Sequence, residues 1–150
     1  MGEYKQLEDL IVYQRLCRLH IEVGELTHRW PVEEKFKLGS QARKSSNSAA
    51  AQIAEKYDDR HVRNKVEGIN RSREEAAETV HHLYMAHLKR YVTLETYHSY
   101  RERYKECIRM LNGMERTLEQ QLPEPDRRWP ATLHDDMNLQ DQCPPGFPEP

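Results

Sequence analysis

GSQARKSSNSAAAQIAEKYDDR, residues 39–60, contains no proline and no large apolar side chain before Ile53. It still carries a helical face. Leu38, Ala42, Ser45, Ala49, Ile53 and Tyr57 recur every three or four residues, the spacing that brings side chains to one side of an α-helix. The side chains on that face are small, and small residues let two helix backbones approach closely. The stretch therefore reads as a tightly packed core helix over about 34–57, with Arg43, Lys44, Gln52 and Lys56 on its outer side. Tyr57-Asp58-Asp59-Arg60 reads as a polar turn, with Asp59 as N-cap of the helix that follows.

The flanking segments repeat the pattern with larger side chains. Over 7–30, Val12, Leu16, Leu19, Val23, Leu26 and Trp30 form one seam, and Leu10, Tyr13, Cys17 and Ile21 add a second strip beside it. A helix apolar over so wide an arc has more than one neighbour to cover. Pro31 stops it, because proline disfavours helix in the residue before it. A third helix spans about 60–90, with Val62, Val66, Ile69, Ala76, Val80 and Leu83 on its seam and Tyr84, Leu88 and Tyr91 extending it. Arg73 interrupts that seam. Thr93 is placed to cap a fourth helix over 94–121, which shows Leu94, Tyr97, Tyr104, Ile108, Leu111 and Leu118, with Tyr100, Cys107 and Met114 alongside. Short connections make neighbouring helices antiparallel. No period-two run or hairpin dipeptide signals a strand. The expected fold is all-α, an antiparallel up-down-up-down four-helix bundle over 1–122. A Pro-rich acidic tail follows over 123–150 and reads as disordered or loosely docked.

Composition narrows the function. A net charge of −2 and a pI near 6.4 argue against a globally basic nucleic-acid binder. The tail holds Glu124, Asp126, Asp135, Asp136, Asp141 and Glu149 against Arg127 and Arg128, so the remaining body is slightly basic. The three cysteines, Cys17, Cys107 and Cys143, show no paired spacing, as expected of thiols in a reducing cytoplasm. MGEYKQLEDL has no basic region followed by an apolar core, so no signal peptide is expected. No apolar run approaches the ~20 residues that cross a bilayer, and no membrane partner is expected.

WPVEEKFKLGSQARKSSNSAAAQIAEKYDDR, with SREEAAETVHHLYMAH after it and LEDLIVYQRLCRLHIEV before it, resembles the bacterial four helix bundle protein family. Members of that family were found as products of intervening sequences within 23S ribosomal RNA genes. A related branch includes the accessory variability protein of diversity-generating retroelements. The likeness covers about residues 5–121. Trp30, Pro31, Glu34, Leu38, Gln41, Arg43, Ile53, Ala54 and Glu55 match the family pattern, whereas Lys44, Gln52, Lys56 and the run 73–77 depart from it. The resemblance implies a homopentamer with no established enzymatic activity. In the retroelement branch it implies RNA and a reverse transcriptase as partners.

Three Glu-x-x-His pairs, Glu25/His28, Glu78/His81 and Glu95/His98, have the spacing that places a carboxylate and an imidazole on one helix face in di-iron bundles. In a hairpin turning near Val92, Glu95 and Glu78 sit ~13 Å apart along the axis. Two ligands of one ion must both lie within ~2–2.6 Å of it, so no shared metal site and no cofactor are expected. No nucleophile elbow or phosphate-cradling glycine loop is present, and Ser45, Ser46 and Ser48 have no sequence mark of activation. The chain is therefore expected not to be an enzyme. The basic residues Arg43, Lys44, Lys56, Arg60, Arg63, Lys65, Arg71 and Arg73 outnumber the acids between them and make the candidate nucleic-acid surface, with Tyr57 available to stack on a base. Pairs such as Glu67/Arg71 and Arg63/Glu67 could instead neutralise that face within the helix. The acidic tail is expected to compete for the same surface.

Overall fold

A computed structural model describes residues 6–127. A 3-10 turn, Leu7–Asp9, precedes four helices: α1 (Ile11–Thr27), α2 (Leu38–Lys56), α3 (Val62–Leu88) and α4 (Leu94–Glu119). Further 3-10 turns lie at Val32–Glu34 and Glu124–Asp126, and no strand occurs among the described residues. Each helix packs antiparallel on the next, and α4 closes back on α1 less extensively. Side-chain pairs fix the directions. Arg43 at the start of α2 reaches Thr27 at the end of α1, and Ser45 and Ser72 tie α2 to α3. Arg15 on α1 meets Glu106 on α4.

The small-residue seam of α2 is buried: Leu38, Ala42, Ser45, Ala49 and Ile53 all lie in the core, joined by Gly39, Ser46 and Ala50. The close approach is measurable. The Ser72 hydroxyl of α3 donates to the Ala49 carbonyl at 2.5 Å, and Ser45 and Thr79 share a hydrogen bond of 2.7 Å. A Cβ added at Gly68 would lie 2.8 Å from Lys56 Cβ and 3.0 Å from the Gln52 carbonyl oxygen. Burial pushes the Tyr104 phenol well above its usual range and the Cys107 thiol up to about 11.

The helix ends differ from the sequence expectation in instructive ways. Leu10 takes an extended conformation (φ −76°, ψ 114°), so α1 starts at Ile11 and the preceding turn is held by Asp9 accepting from the Gln6 N–H. Glu34 does not open α2. It sits ahead of it and accepts the Leu38 N–H at 3.3 Å, satisfying a helix-terminal donor. Asp59 is not the N-cap of α3; His61 is, and the Asp59 carboxylate accepts from the His61 N–H and the Asn64 amide. Thr93 caps α4 as expected, its hydroxyl accepting from the Thr96 N–H at 3.1 Å. Leu88 and Leu94 were read as seam residues but flank the α3–α4 turn in the open, each at least half exposed. Arg90, in that turn, has a left-handed φ of 67°, and the Tyr91 N–H bonds back to the Ala86 carbonyl, a Schellman closure of α3.

Candidate nucleic-acid interface

The eight basic residues singled out from sequence do not form one surface. Arg73 points inward. Its guanidinium donates to Asn112 (2.7 Å), Glu115 (2.8 Å) and Asn70, with the Glu115 side chain fully buried. The interruption of the α3 seam is therefore an internal ion pair bridging α3 and α4. Arg43 is committed at the other end of the bundle. It donates to the Thr27 hydroxyl at 3.0 Å and the Lys35 carbonyl at 2.7 Å, fastening the α1–α2 connection. Arg71 pairs with Glu67 at 2.6 Å, the intrahelical pairing anticipated from sequence, and Arg63 pairs with Asp126 rather than with Glu67.

That leaves Lys44, Lys56, Arg60 and Lys65, none of which makes an ion pair among the described residues. Lys44 stands apart, twelve residues or ~18 Å along α2 from Lys56. Lys56, Arg60 and Lys65 gather where α2 ends and α3 begins. Lys56 and Lys65, with Tyr57 beside them, line an open groove of ≈ 590 Å³ floored by Ile53, Ile69, Met114 and Leu118. No signal in the sequence announced this groove, because it arises from unequal helix lengths. Arg15 sits level with Glu106 and Met110. By helix rise, Ile11 then lies opposite about residue 112, and roughly the last two turns of α4 have no α1 beside them. Among the described residues, the groove is the fourth corner of the bundle that α1 does not reach.

Of the family-pattern residues, Ile53 lies on the groove floor, whereas Trp30 and Glu34 lie at the opposite end and hold connections together. Glu34 accepts from Lys89 Nζ (2.8 Å) and the Tyr91 hydroxyl (2.9 Å), which draws the α1–α2 connection onto the α3–α4 turn. These donors hold the Glu34 carboxyl below its ordinary range and raise both Lys89 and Tyr91. Trp30 is buried against Tyr91, ring centroids 5.9 Å apart. Val32 and Phe36 are more than four-fifths exposed there, on the same end as Leu88 and Leu94.

Two other polar clusters among the described residues make internal contacts. His20 Nδ1 lies 2.8 Å from the Ser46 hydroxyl, a Ser–His contact the sequence did not suggest. Ser46 is fully buried and also donates to the Arg43 carbonyl, so a substrate carbonyl has no path to its oxygen. Burial lowers the His20 pKa, which weakens the imidazolium form. Of the Glu-x-x-His residues, Glu78 contacts His82 at 3.3 Å rather than His81. Among the described residues no group of three His, Cys, Asp or Glu side chains is arranged to hold a metal ion. No described helix is long and apolar enough to cross a membrane.

Among the described residues, the fold and these clusters define an antiparallel four-helix bundle that carries a groove with a basic rim and an apolar floor. The family model for the 23S rRNA-intervening sequence protein matches residues 8–113, and the chain belongs to that family. A protein of unknown function from the S23 ribosomal protein family of Bacteroides thetaiotaomicron has a similar crystal structure. It has a TM-score of 0.64 and 23% identity, covering 69% of this chain and 97% of that one. That likeness extends to the fold. No curated protein matches the chain.

Proposed function

We propose that this protein acts without catalysis, as a homo-oligomeric module that binds RNA at the α2–α3 end. The observation that carries this reading is the groove where Lys56 and Lys65, without ion-pair partners among the described residues, flank an apolar floor beside Tyr57. Cations lining a groove suit phosphate oxygens, Arg60 lies at the same end of the bundle, and an aromatic ring and apolar floor suit an unstacked base. Self-association is supported by α1, whose second strip remains half covered: Leu10, Tyr13 and Cys17 are partly buried, and Ile21 is 62% exposed. A pentamer is the assembly the family resemblance implies.

Fluorescence anisotropy with a single-stranded RNA tests the ligand. Lys56→Glu/Lys65→Glu should weaken binding by tenfold or more and flatten the salt dependence by about 0.7 per lost phosphate contact. Lys44→Glu, remote from the groove, should leave affinity within about twofold. A loss from Lys44→Glu as large as that from Lys56→Glu/Lys65→Glu would point to unspecific charge attraction and refute the groove as the site.

A further inference from the structure

The chain leaves the described structure at the same end of the bundle as the groove, and its exit is pinned. Asp126 pairs with Arg63, two residues before the groove-lining Lys65. Arg127 folds back on the end of α4, its Nε donating to the Leu122 carbonyl at 3.0 Å and Nη2 to that of Gln120 at 3.1 Å. Extended chain advances ~3.3–3.6 Å per residue, so the two residues from this anchor to position 129 can span at most ~7 Å. Trp129, Leu133 and Met137 follow at four-residue intervals, with Asp135, Asp136 and Asp141 among and after them. The groove offers the complement: Ile53, Ile69, Met114 and Leu118 on its floor, and Lys56 and Lys65 on its rim.

We propose that residues 129–139 of the same chain occupy this groove, setting their apolar side chains on its floor and their acids against Lys56 and Lys65. The segment takes the place that α1, beginning too late, leaves open. Where RNA binds the same rim, segment and RNA exclude each other. That consequence rests on the RNA reading, whereas the seating does not.

Acrylamide quenching of tryptophan emission in the full-length chain tests the seating without RNA. The chain has two tryptophans, and Trp30 is buried at the far end. Trp129→Phe assigns the two signals. Seating predicts that both indoles resist quenching. Met114→Glu on the floor, and separately Lys56→Glu/Lys65→Glu on the rim, should make the Trp129 share quenchable and red-shifted, with far-ultraviolet circular dichroism unchanged. A Trp129 fully quenched in the unaltered chain overturns the proposal. So does protection that neither set of substitutions disturbs, which would seat the segment elsewhere. Protection lost on dilution would assign the segment to a neighbouring copy and refute the intrachain form. Amide hydrogen exchange at 113–118 adds a second reading. Slow exchange there with an exposed Trp129 would give the groove to another occupant, such as residues 1–5.

Discussion

Replacing Arg73 by methionine should be among the most damaging single changes in this bundle. The substitution keeps an unbranched apolar stem and removes the guanidinium with its charge. Glu115, with 0% side-chain exposure, then loses the guanidinium that bonds it at 2.8 Å, while Asn112 and Asn70 lose their donor. Breaking a buried pair from one side costs about 3–5 kcal/mol, because a charge is left in a low-dielectric interior. Glu115 retains other interactions, which favours the lower end. At about 2–4 °C per kcal/mol for a chain of this size, the melting temperature should fall by roughly 10 °C. Replacing both partners, Arg73→Met with Glu115→Met, should recover most of that loss, since a buried ion pair and a well-packed apolar pair are often close in net stability. Thermal and urea denaturation at one fixed protein concentration, arranged as a double-mutant cycle, gives the coupling. A single-mutant cost below about 1 kcal/mol, or a double mutant no better than the single, would mean that Glu115 is solvated and the reasoning is wrong.

Two further perturbations follow from the same geometry. Gly68→Ala should destabilise by about 1–2 kcal/mol in urea melts despite alanine's better helix propensity, because its Cβ would press on Lys56 at 2.8 Å; Gly24→Ala, with nothing within 4 Å, should stabilise by about 0.5–1 kcal/mol. Glu34→Gln should lower stability near neutral pH. The folded carboxyl titrates below its ordinary 4.5, so its contribution is present above that value and is lost as pH falls through the lowered one. The stability gap between Glu34→Gln and the unaltered chain should thus narrow on acidification below 4.5, and a gap independent of pH there would contradict the Lys89–Glu34–Tyr91 link.

Helix periodicity made the bundle legible because burial in an antiparallel bundle is set by local spacing. The alternation through Val12, Leu16, Leu19 and Val23, and the Ala/Ser seam of α2, were enough to place their faces in the core. The Thr93 cap was readable for the same reason, being a bond between residues three apart. What escaped was long-range. Arg73 looked like one more surface cation, since its partners Asn112 and Glu115 lie on another helix and nothing local marks them as buried. Arg43 was misleading in the same way, its donors spent on the end of α1 and the backbone of the following connection. The groove depends on the register of α1 against α4, which is a relation between helices and has no periodic signature in either. Leu88 and Leu94 continued the apolar rhythm past the point where the core ends, and a turn lies between them. The expectation that the tail over 123–150 is disordered or loosely docked falls, beyond Arg127, outside the described residues.

The most direct test of the account is the solution mass of the full-length protein by light scattering, with and without a structured ribosomal RNA fragment at near-physiological salt. The account predicts a pentamer whose mass grows when RNA is added, and whose growth is lost in Lys56→Glu/Lys65→Glu. A mass that does not change with RNA, or a monomer in every condition, would contradict it.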